Sequence, residues 1–185
     1  RIVKLTQKER ENILENLLKR SPNQYSKFET TVRDILDKVK AEGDQALFAY
    51  TEQFDGVKIT EETFRVTEEE IAEAYEKVDS HLIEIIRKAL VNIRDYHQKQ
   101  VRYSWFDSKP DGTLLGQKVT ALERVGVYVP GGKAVYPSSV LMNIVPAKIA
   151  GVAHVVMCTP CNKEGKVNPA VLVAAKEAGA DEVFC

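Results

Sequence analysis

Hydrophobic side chains in the first hundred residues recur at the spacing of amphipathic helices. One such run covers residues 29–55 and is interrupted by Gly43, which predicts two helices joined by a short turn at residues 41–44. A charged helix over residues 6–20 and a long helix from Ser80 to about residue 100 are also predicted. The first part of the chain is therefore expected to be mostly helical.

Polar residues at the predicted helix ends support this interpretation. Thr67 and Glu70 have the spacing of a capping box, in which a hydroxyl and a carboxylate bind each other's backbone N–H groups. Further along, Asn168 precedes Pro169 as a helix cap, and Gly179 is a typical helix stop.

The hydrophobic pattern changes after about residue 106. Residues 111–120 contain turn glycines between short apolar runs and predict a hairpin of two short strands. From Arg124 onwards, strands and helices are expected to alternate. The predicted strands cover residues 125–129, 154–158 and 181–185, and the predicted helices cover residues 138–150 and 168–178.

This alternation predicts a parallel β-α-β-α-β sheet, because connections of this length join parallel strands. The expected fold class is α/β, with a helical N-terminal region followed by an incomplete Rossmann-like parallel sheet. We expect residues 1–20 to form an arm or helix, residues 21–124 a mostly helical region with a hairpin, and residues 125–185 a partial α/β domain. The last strand is expected to leave an unpaired sheet edge.

The stretch that follows the first predicted strand carries the strongest candidate chemistry. Pro130-Gly131-Gly132 ends the strand, and Ser138 or Ser139 is expected to cap the next helix. A strand, a glycine loop and a helix N-terminus together can direct backbone N–H groups at an anion. The spacing matches neither common phosphate-binding motif, so a plain tight turn and a phosphate cradle both remain open.

Composition narrows the function classes. The net charge of −1 gives no electrostatic reason to expect binding to nucleic acid or to an anionic membrane. The sequence contains no apolar run of membrane-spanning length and no secretory leader pattern. Three cysteines are too few and too unevenly spaced for a secreted disulfide framework, so a cytoplasmic location is expected.

Cys158 and Cys161 form a CxxC motif, which occurs in redox dithiols and in zinc sites. The motif follows a strand, whereas redox pairs usually open a helix, and the chain has no second CxxC. His154 lies at the opposite end of the predicted strand, roughly 13 Å from Cys158. We therefore interpret both cysteines as unpaired and structural, and we assign no metal ligand to this chain.

His81 and Glu84 are expected to share one face of a helix, three residues apart. Two potential ligands without a third are typical of an exposed surface pair. The three histidines are otherwise dispersed along the chain and do not suggest a ligand set.

The amino-acid sequence of the central stretch closely resembles that of histidinol dehydrogenases. Residues 125–134 read Val-Gly-Val-Tyr-Val-Pro-Gly-Gly-Lys-Ala, and the resemblance continues through residues 136–143 and 146–152. Weaker similarities lie at residues 43–47, 54–56 and 174–179. The resemblance extends over nearly the whole chain. We expect a complete family member to continue well beyond residue 185.

The resemblance implies an enzyme that oxidises L-histidinol to L-histidine through an aldehyde, with NAD and zinc. It implies that Tyr128 contacts NAD, whereas the residues alone leave a core tyrosine equally open. Gly131, Gly132 and Ser138 are further candidates for the same cofactor crevice. The catalytic acid–base pair and the zinc ligands of the family are expected beyond residue 185, and the N-terminal arm is expected to join a homodimer.

Two other function classes remain open from the sequence. One is a nucleotide-binding module without catalysis, in which the glycine loop holds the nucleotide. The other is a thiol-redox protein that uses Cys158 and Cys161.

Overall fold

The computed structural model describes residues 6–7, 25–131 and 135–185. Two compact units, Arg1–Ala49 and Tyr50–Cys185, divide the chain. Apart from Thr6 and Gln7, the helix predicted over residues 6–20 lies outside the described residues. The described helices are α1 (Ser26–Glu42), α2 (Asp44–Asp55), α3 (Glu68–Lys77), α4 (Ser80–Gln98), α5 (Pro137–Ile149) and α6 (Pro169–Ala178), and the strands are β1 (Trp105–Ser108), β2 (Leu114–Gln117), β3 (Arg124–Tyr128), β4 (His154–Cys158) and β5 (Glu182–Phe184).

In the first unit, Gly43 ends α1 and permits the next helix to begin at once. Its φ of 62° lies in the left-handed region that glycine adopts without a Cβ clash. Its N–H donates to the Val39 carbonyl at 2.8 Å, which closes the last turn of α1. The predicted pair of helices with a turn at Gly43 is confirmed.

The helix starts in the second unit follow the polar signals in the sequence. Thr67 Oγ1 accepts from the Glu70 N–H at 3.2 Å, and a Glu70 carboxylate oxygen accepts from the Thr67 N–H at 3.0 Å. This is the predicted capping box at the start of α3. The helix predicted from Ser80 is also confirmed, and the carboxylate of Asp79 caps it.

The alternating segment forms the predicted three-stranded parallel sheet, in the order β3-β4-β5. Asn168 caps α6 by accepting from the Ala170 N–H at 2.9 Å, and Gly179 ends that helix with a φ of 90°. The predicted α/β fold class is confirmed. The expected division of the chain near residues 20 and 124 stays a prediction.

The predicted position of the hairpin is wrong, because its first strand lies before residue 111. Residues 111–120 were expected to hold both strands, but β2 pairs with the earlier strand β1, with Trp105 opposite Gln117. Residues 109–113 form the turn instead. The Lys109 N–H donates to the Thr113 carbonyl, and the Asp111 carboxylate accepts from the Thr113 N–H, both at 2.9 Å. The local hydrogen bonding of Asp111 favours a turn over a strand.

One face of the parallel sheet carries the hydrophobic core of the second unit. Val155 and Met157 of β4 are fully buried, and Val183 of β5 is buried beside them. Helices α3 to α6 contribute most of the rest of this core, and Val129, Val152 and Val167 join it from loops. Its helical members are Ala74, Ile83, Ile86, Leu90, Val140, Leu141, Ile144, Val145, Val171, Leu172, Val173, Ala174, Ala175 and Ala178.

The outer edge of β5 is not left unpaired, contrary to the expectation from the sequence. The Val66 N–H donates to the Val183 carbonyl, and the Cys185 N–H donates to the Phe64 carbonyl, both at 2.9 Å. The ring of Phe64 also packs on that of Phe184, with centroids 5.1 Å apart. Residues 64–66 arrive from the loop before α3, so a segment distant in sequence covers this edge.

A half-buried carboxylate joins the helices that cover the core. Glu177 of α6 accepts from the Tyr75 hydroxyl at 2.9 Å and from two nitrogens of Arg87 at 2.8 and 3.0 Å. The hydrogen bond from Arg87 holds the pKa of Glu177 below its ordinary value. Burial and the hydrogen bond to Glu177 raise the pKa of Tyr75 to about 12.

Replacement of Glu177 by glutamine should lower the free energy of unfolding by about 1–2 kcal/mol near pH 7, because a charge-assisted hydrogen-bond acceptor is lost. The folded-state pKa of Glu177 is depressed, so its contribution is present above the ordinary glutamate pKa of about 4.3 and is lost as the pH falls through the folded value. Urea unfolding at several pH values measures this difference.

Glu73→Gln is the matched control, because Glu73 forms an ion pair with Lys77 in which both side chains are largely exposed. That change should alter the free energy of unfolding little. An equal effect of the two variants, or an effect of Glu177→Gln that persists at acid pH, would contradict the assigned role.

Candidate functional site

The carboxyl ends of the three parallel strands bring one residue from each strand into a row. Tyr128 pairs in register with Cys158, and Cys158 pairs with Phe184. Successive side chains of a strand point to opposite faces, so these three lie on the face away from the buried Met157 and Val183. Ligands of open parallel sheets bind at this end of the strands.

Tyr128 lies at the surface of this edge. Its side chain is 64% exposed, whereas Val129, the next residue, is fully buried. The core interpretation of Tyr128, which the sequence left open, is therefore wrong for this structure. An exposed phenol at a strand end can present its ring face and its hydroxyl to a ligand.

The loop after β3 lies directly against the loop after β4. A Cβ atom added to Gly131 would lie 3.4 Å from Pro160 Cδ and 3.5 Å from the Pro160 carbonyl oxygen. These are ordinary contact distances, so there is room for a Cβ at this position. Gly131 therefore keeps its backbone accessible where two loops converge.

A cavity of about 210 Å³ lies between these two loops and the N-terminal end of α6. Gly131 lines it, whereas Tyr128 and Ser138 do not. Gly132 lies outside the described residues, so its role stays a prediction. The described lining residues are Pro130, Gly131, Val135, Thr159, Pro160, Cys161, Asn162, Lys166, Val167, Asn168, Pro169 and Val171.

Most of the cavity wall comes from residues 159–171, of which only Cys161 was a candidate from the sequence, as part of the CxxC motif. The predicted parallel sheet was part of the signal for this wall. Carboxyl ends of neighbouring parallel strands share one edge of a sheet, so the loop after β4 has to lie beside the loop after β3. This consequence needs the strand order, which the pattern of residues alone does not supply.

Ser138 and Ser139 do not cap α5, contrary to the prediction. The helix begins at Pro137, the capping position is Tyr136, and no side chain accepts a hydrogen bond there. Proline is favoured in the first helical turn because its φ is already helical and it has no N–H to satisfy. The helix therefore starts one residue earlier, and both serines lie inside its first turn. Ser138 remains exposed.

All three cysteines, which lie in the described part of the chain, are free thiols. Cys158 is exposed at the end of β4, where partial burial raises its pKa. Cys161 lies in the following loop and is half-buried. The two cysteines of the CxxC motif are thus unpaired, as expected.

Within the described residues, no group of three or more histidine, cysteine, aspartate or glutamate side chains is placed to hold a metal ion. His81 and Glu84 lie 3.8 Å apart, with both side chains more than 70% exposed, as expected for a surface pair. His154 interacts with Glu182 at 3.2 Å. These contacts give pairs of potential ligands without a third.

None of the helices in the described ranges is long and apolar enough to cross a membrane.

Comparison with known proteins extends the sequence resemblance. The family model for histidinol dehydrogenase matches residues 18–185. The chain is 51% identical over 170 residues to the histidinol dehydrogenase of Heliobacterium mobile, covering 92% of this chain and 40% of that protein. It is 54% identical over 154 residues to that of Bacillus subtilis (strain 168), covering 83% of this chain and 36% of that protein.

The fold is also similar to a solved structure. The crystal structure of histidinol dehydrogenase from Elizabethkingia anophelis matches with a TM-score of 0.78 and 32% sequence identity, covering 85% of this chain and 36% of that chain. The chain thus spans 36–40% of the length of these relatives. On the extent of the family match and the identity to these proteins, the chain belongs to the histidinol dehydrogenase family.

Proposed function

We propose that this chain forms part of an enzyme of histidine biosynthesis that oxidises L-histidinol to L-histidine through the aldehyde, with NAD as the oxidant. The observation that carries the proposal is the position of Tyr128. Tyr128 is exposed at the carboxyl end of β3, within residues 125–134, where the sequence resembles the family most closely. Family membership supports the proposed reaction, and the exposure of Tyr128 at this edge supports cofactor binding there.

The residues of this chain act in the proposal by binding and positioning. Tyr128 offers a ring and a hydroxyl to the cofactor, and Gly131 offers accessible backbone beside the cavity. Ser138 has an exposed hydroxyl in the first turn of α5, next to the same loop. Gly132 completes the proposed set. NAD, when bound, supplies the hydride-accepting chemistry.

Zinc is not assigned to this chain. The described residues offer pairs of possible ligands, whereas protein zinc sites use three or four. The donor set therefore does not fit a zinc site in residues 25–131 and 135–185. In the proposal, the zinc ligands and the acid–base pair belong to other parts of the full-length enzyme, and residues 1–20 contribute to a homodimer.

A nucleotide-binding module without catalysis is the alternative that the cavity beside Gly131 favours. It predicts stoichiometric NAD binding without turnover in the full-length protein. NADH formation from histidinol by that protein would exclude the alternative.

Replacement of Tyr128 by alanine should raise the KM for NAD about two- to tenfold in the full-length enzyme, the equivalent of ~0.5–1.5 kcal/mol for a lost aromatic contact. The KM for histidinol should change less. Steady-state kinetics with each substrate varied in turn measure both constants.

Tyr128→Phe separates the two parts of this side chain, because it keeps the ring and removes the hydroxyl. A KM for NAD close to the wild-type value in this control would assign the effect to the ring. An unchanged KM for NAD in Tyr128→Ala would exclude Tyr128 from the cofactor site.

Gly131→Ala tests whether this glycine serves the ligand or the fold. The free energy of unfolding should stay within about 0.5 kcal/mol of wild type, because the added Cβ meets Pro160 at ordinary contact distance. NAD binding should weaken if the cofactor approaches the backbone here. Chemical denaturation and NAD titration measure the two effects.

Gly179→Ala is the control for a glycine that the fold requires. Its φ of 90° lies in the left-handed region, so alanine should cost more than about 1 kcal/mol of stability. Equal stability losses in the two variants, with normal NAD binding by Gly131→Ala, would contradict the proposed role of Gly131.

The 185-residue chain by itself should neither bind zinc stoichiometrically nor produce NADH from histidinol. The described residues lack a zinc donor set, and no proton acceptor is assigned to them. Metal analysis after dialysis and an NADH absorbance assay provide the test. Stoichiometric zinc together with NADH production would place the active site within this chain.

A further inference from the structure

Thr159 is a polar residue at a position where the sheet otherwise carries apolar side chains. It directly follows β4, and its N–H donates to the Phe184 carbonyl at 3.0 Å, so it continues the pairing of β4 with β5. Since alternate residues of a strand share a face, Thr159 faces the helices, as the buried Val155 and Met157 do. Thr159 is 4% exposed, and within the described residues it is the polar residue that is buried among apolar ones.

The hydroxyl of Thr159 has no hydrogen-bond partner among the described residues. In that part of the chain, the buried side-chain atom that is both unpartnered and sealed from solvent is His97 Nε2, so the Thr159 oxygen is reachable. Thr159 lines the cavity beside Gly131, and its oxygen therefore opens into that cavity. A buried hydroxyl without a partner costs free energy that a valine of the same shape avoids. A ligand in the cavity accounts for threonine at this position.

Two asparagines in the cavity wall also have hydrogen-bond donors to offer. Asn162 Oδ1 accepts from the N–H groups of Glu164 and Lys166. Asn168 Oδ1 accepts from the Ala170 N–H. Both side-chain oxygens are thus used by the chain itself, whereas the NH2 group of an asparagine can only donate. The polar groups left for a ligand are therefore donors, which select a ligand rich in acceptors.

The charges around the cavity favour an anion. Among the described lining residues there is no aspartate or glutamate, and Lys166 lines the cavity while it pairs with Glu70 of α3. Asn168 and Pro169 place the N-terminal end of α6, a helix of ten residues, in the same wall. The N-terminus of a helix carries a partial positive charge and attracts phosphate groups. The cavity thus combines a buried hydroxyl, amide donors and a helix N-terminus.

We propose that this cavity binds a phosphate group and that the Thr159 hydroxyl donates a hydrogen bond to one of its oxygens. The cradle considered from the sequence lay at the start of α5, whereas these donors lie at the start of α6. We assign the phosphate to NAD, and this assignment rests on the proposed function. The phosphate chemistry itself rests on the donors that line the cavity. Thr159 is then a binding residue beside Gly131.

The test compares the wild-type full-length enzyme with Thr159→Val, which keeps the shape of the side chain and removes the hydroxyl. Calorimetric titration with NAD, inorganic pyrophosphate and adenosine measures three dissociation constants. The Kd values for NAD and pyrophosphate should rise about tenfold in the variant, because a hydrogen bond to a charged group is lost. The Kd for adenosine, which has no phosphate, should stay within about twofold of the wild-type value.

Thr159→Ser is the matched control, because it keeps the hydroxyl. Its Kd for NAD should stay within about twofold of wild type. Urea unfolding should show that Thr159→Val is at least as stable as wild type, because the valine removes an unpartnered hydroxyl. A stabilised variant that binds NAD and pyrophosphate more weakly separates a binding residue from a residue that only supports the fold.

The proposal is overturned by wild-type Kd values for NAD and pyrophosphate in Thr159→Val, by equal weakening of adenosine, or by a loss of stability in that variant. Failure of the proposed function has a different result. An enzyme that binds pyrophosphate through Thr159 but does not bind NAD would contradict the proposed function and support the phosphate site. A wild-type enzyme that binds neither ligand would overturn both.

Discussion

The alternation of side chains along the parallel strands is the constraint on which the rest of the second unit depends. Because Val155, Met157 and Val183 face the helices, their neighbours in each strand must face the other way. The buried set forms the core. The same geometry places Tyr128, Cys158 and Phe184 in a row on the opposite face, so burial on one side produces the candidate site on the other.

Contacts between segments distant in sequence cover the outer edge of β5 and join the helices of the core. Residues 64–66 pair with the outer side of β5, and Glu177 binds both Tyr75 and Arg87 across the helical layer. A parallel sheet is ordinarily covered on both faces. In the described residues, the helices of the core cover one of them.

The loop of residues 159–167 forms much of the cavity wall at this edge of the sheet. Its Pro160 lies against Gly131 at the cavity. The loop is held by Asn162 and by the Lys166–Glu70 ion pair rather than by regular secondary structure. The cavity therefore lies at an edge of the sheet that side-chain contacts hold in place.

The sequence by itself determined the helix ends at Thr67, Asn168 and Gly179 and the alternation of strands and helices after Arg124, because these depend on local hydrogen bonding and on the period of apolar positions. Thr67, Asn168 and Gly179 act within a few residues of their own positions. Tertiary structure alone decided that Tyr128 is exposed and that residues 64–66 cover the outer edge of β5. Each of these follows from which segments pack together, and strand register and loop packing over long sequence separations leave no local pattern to read.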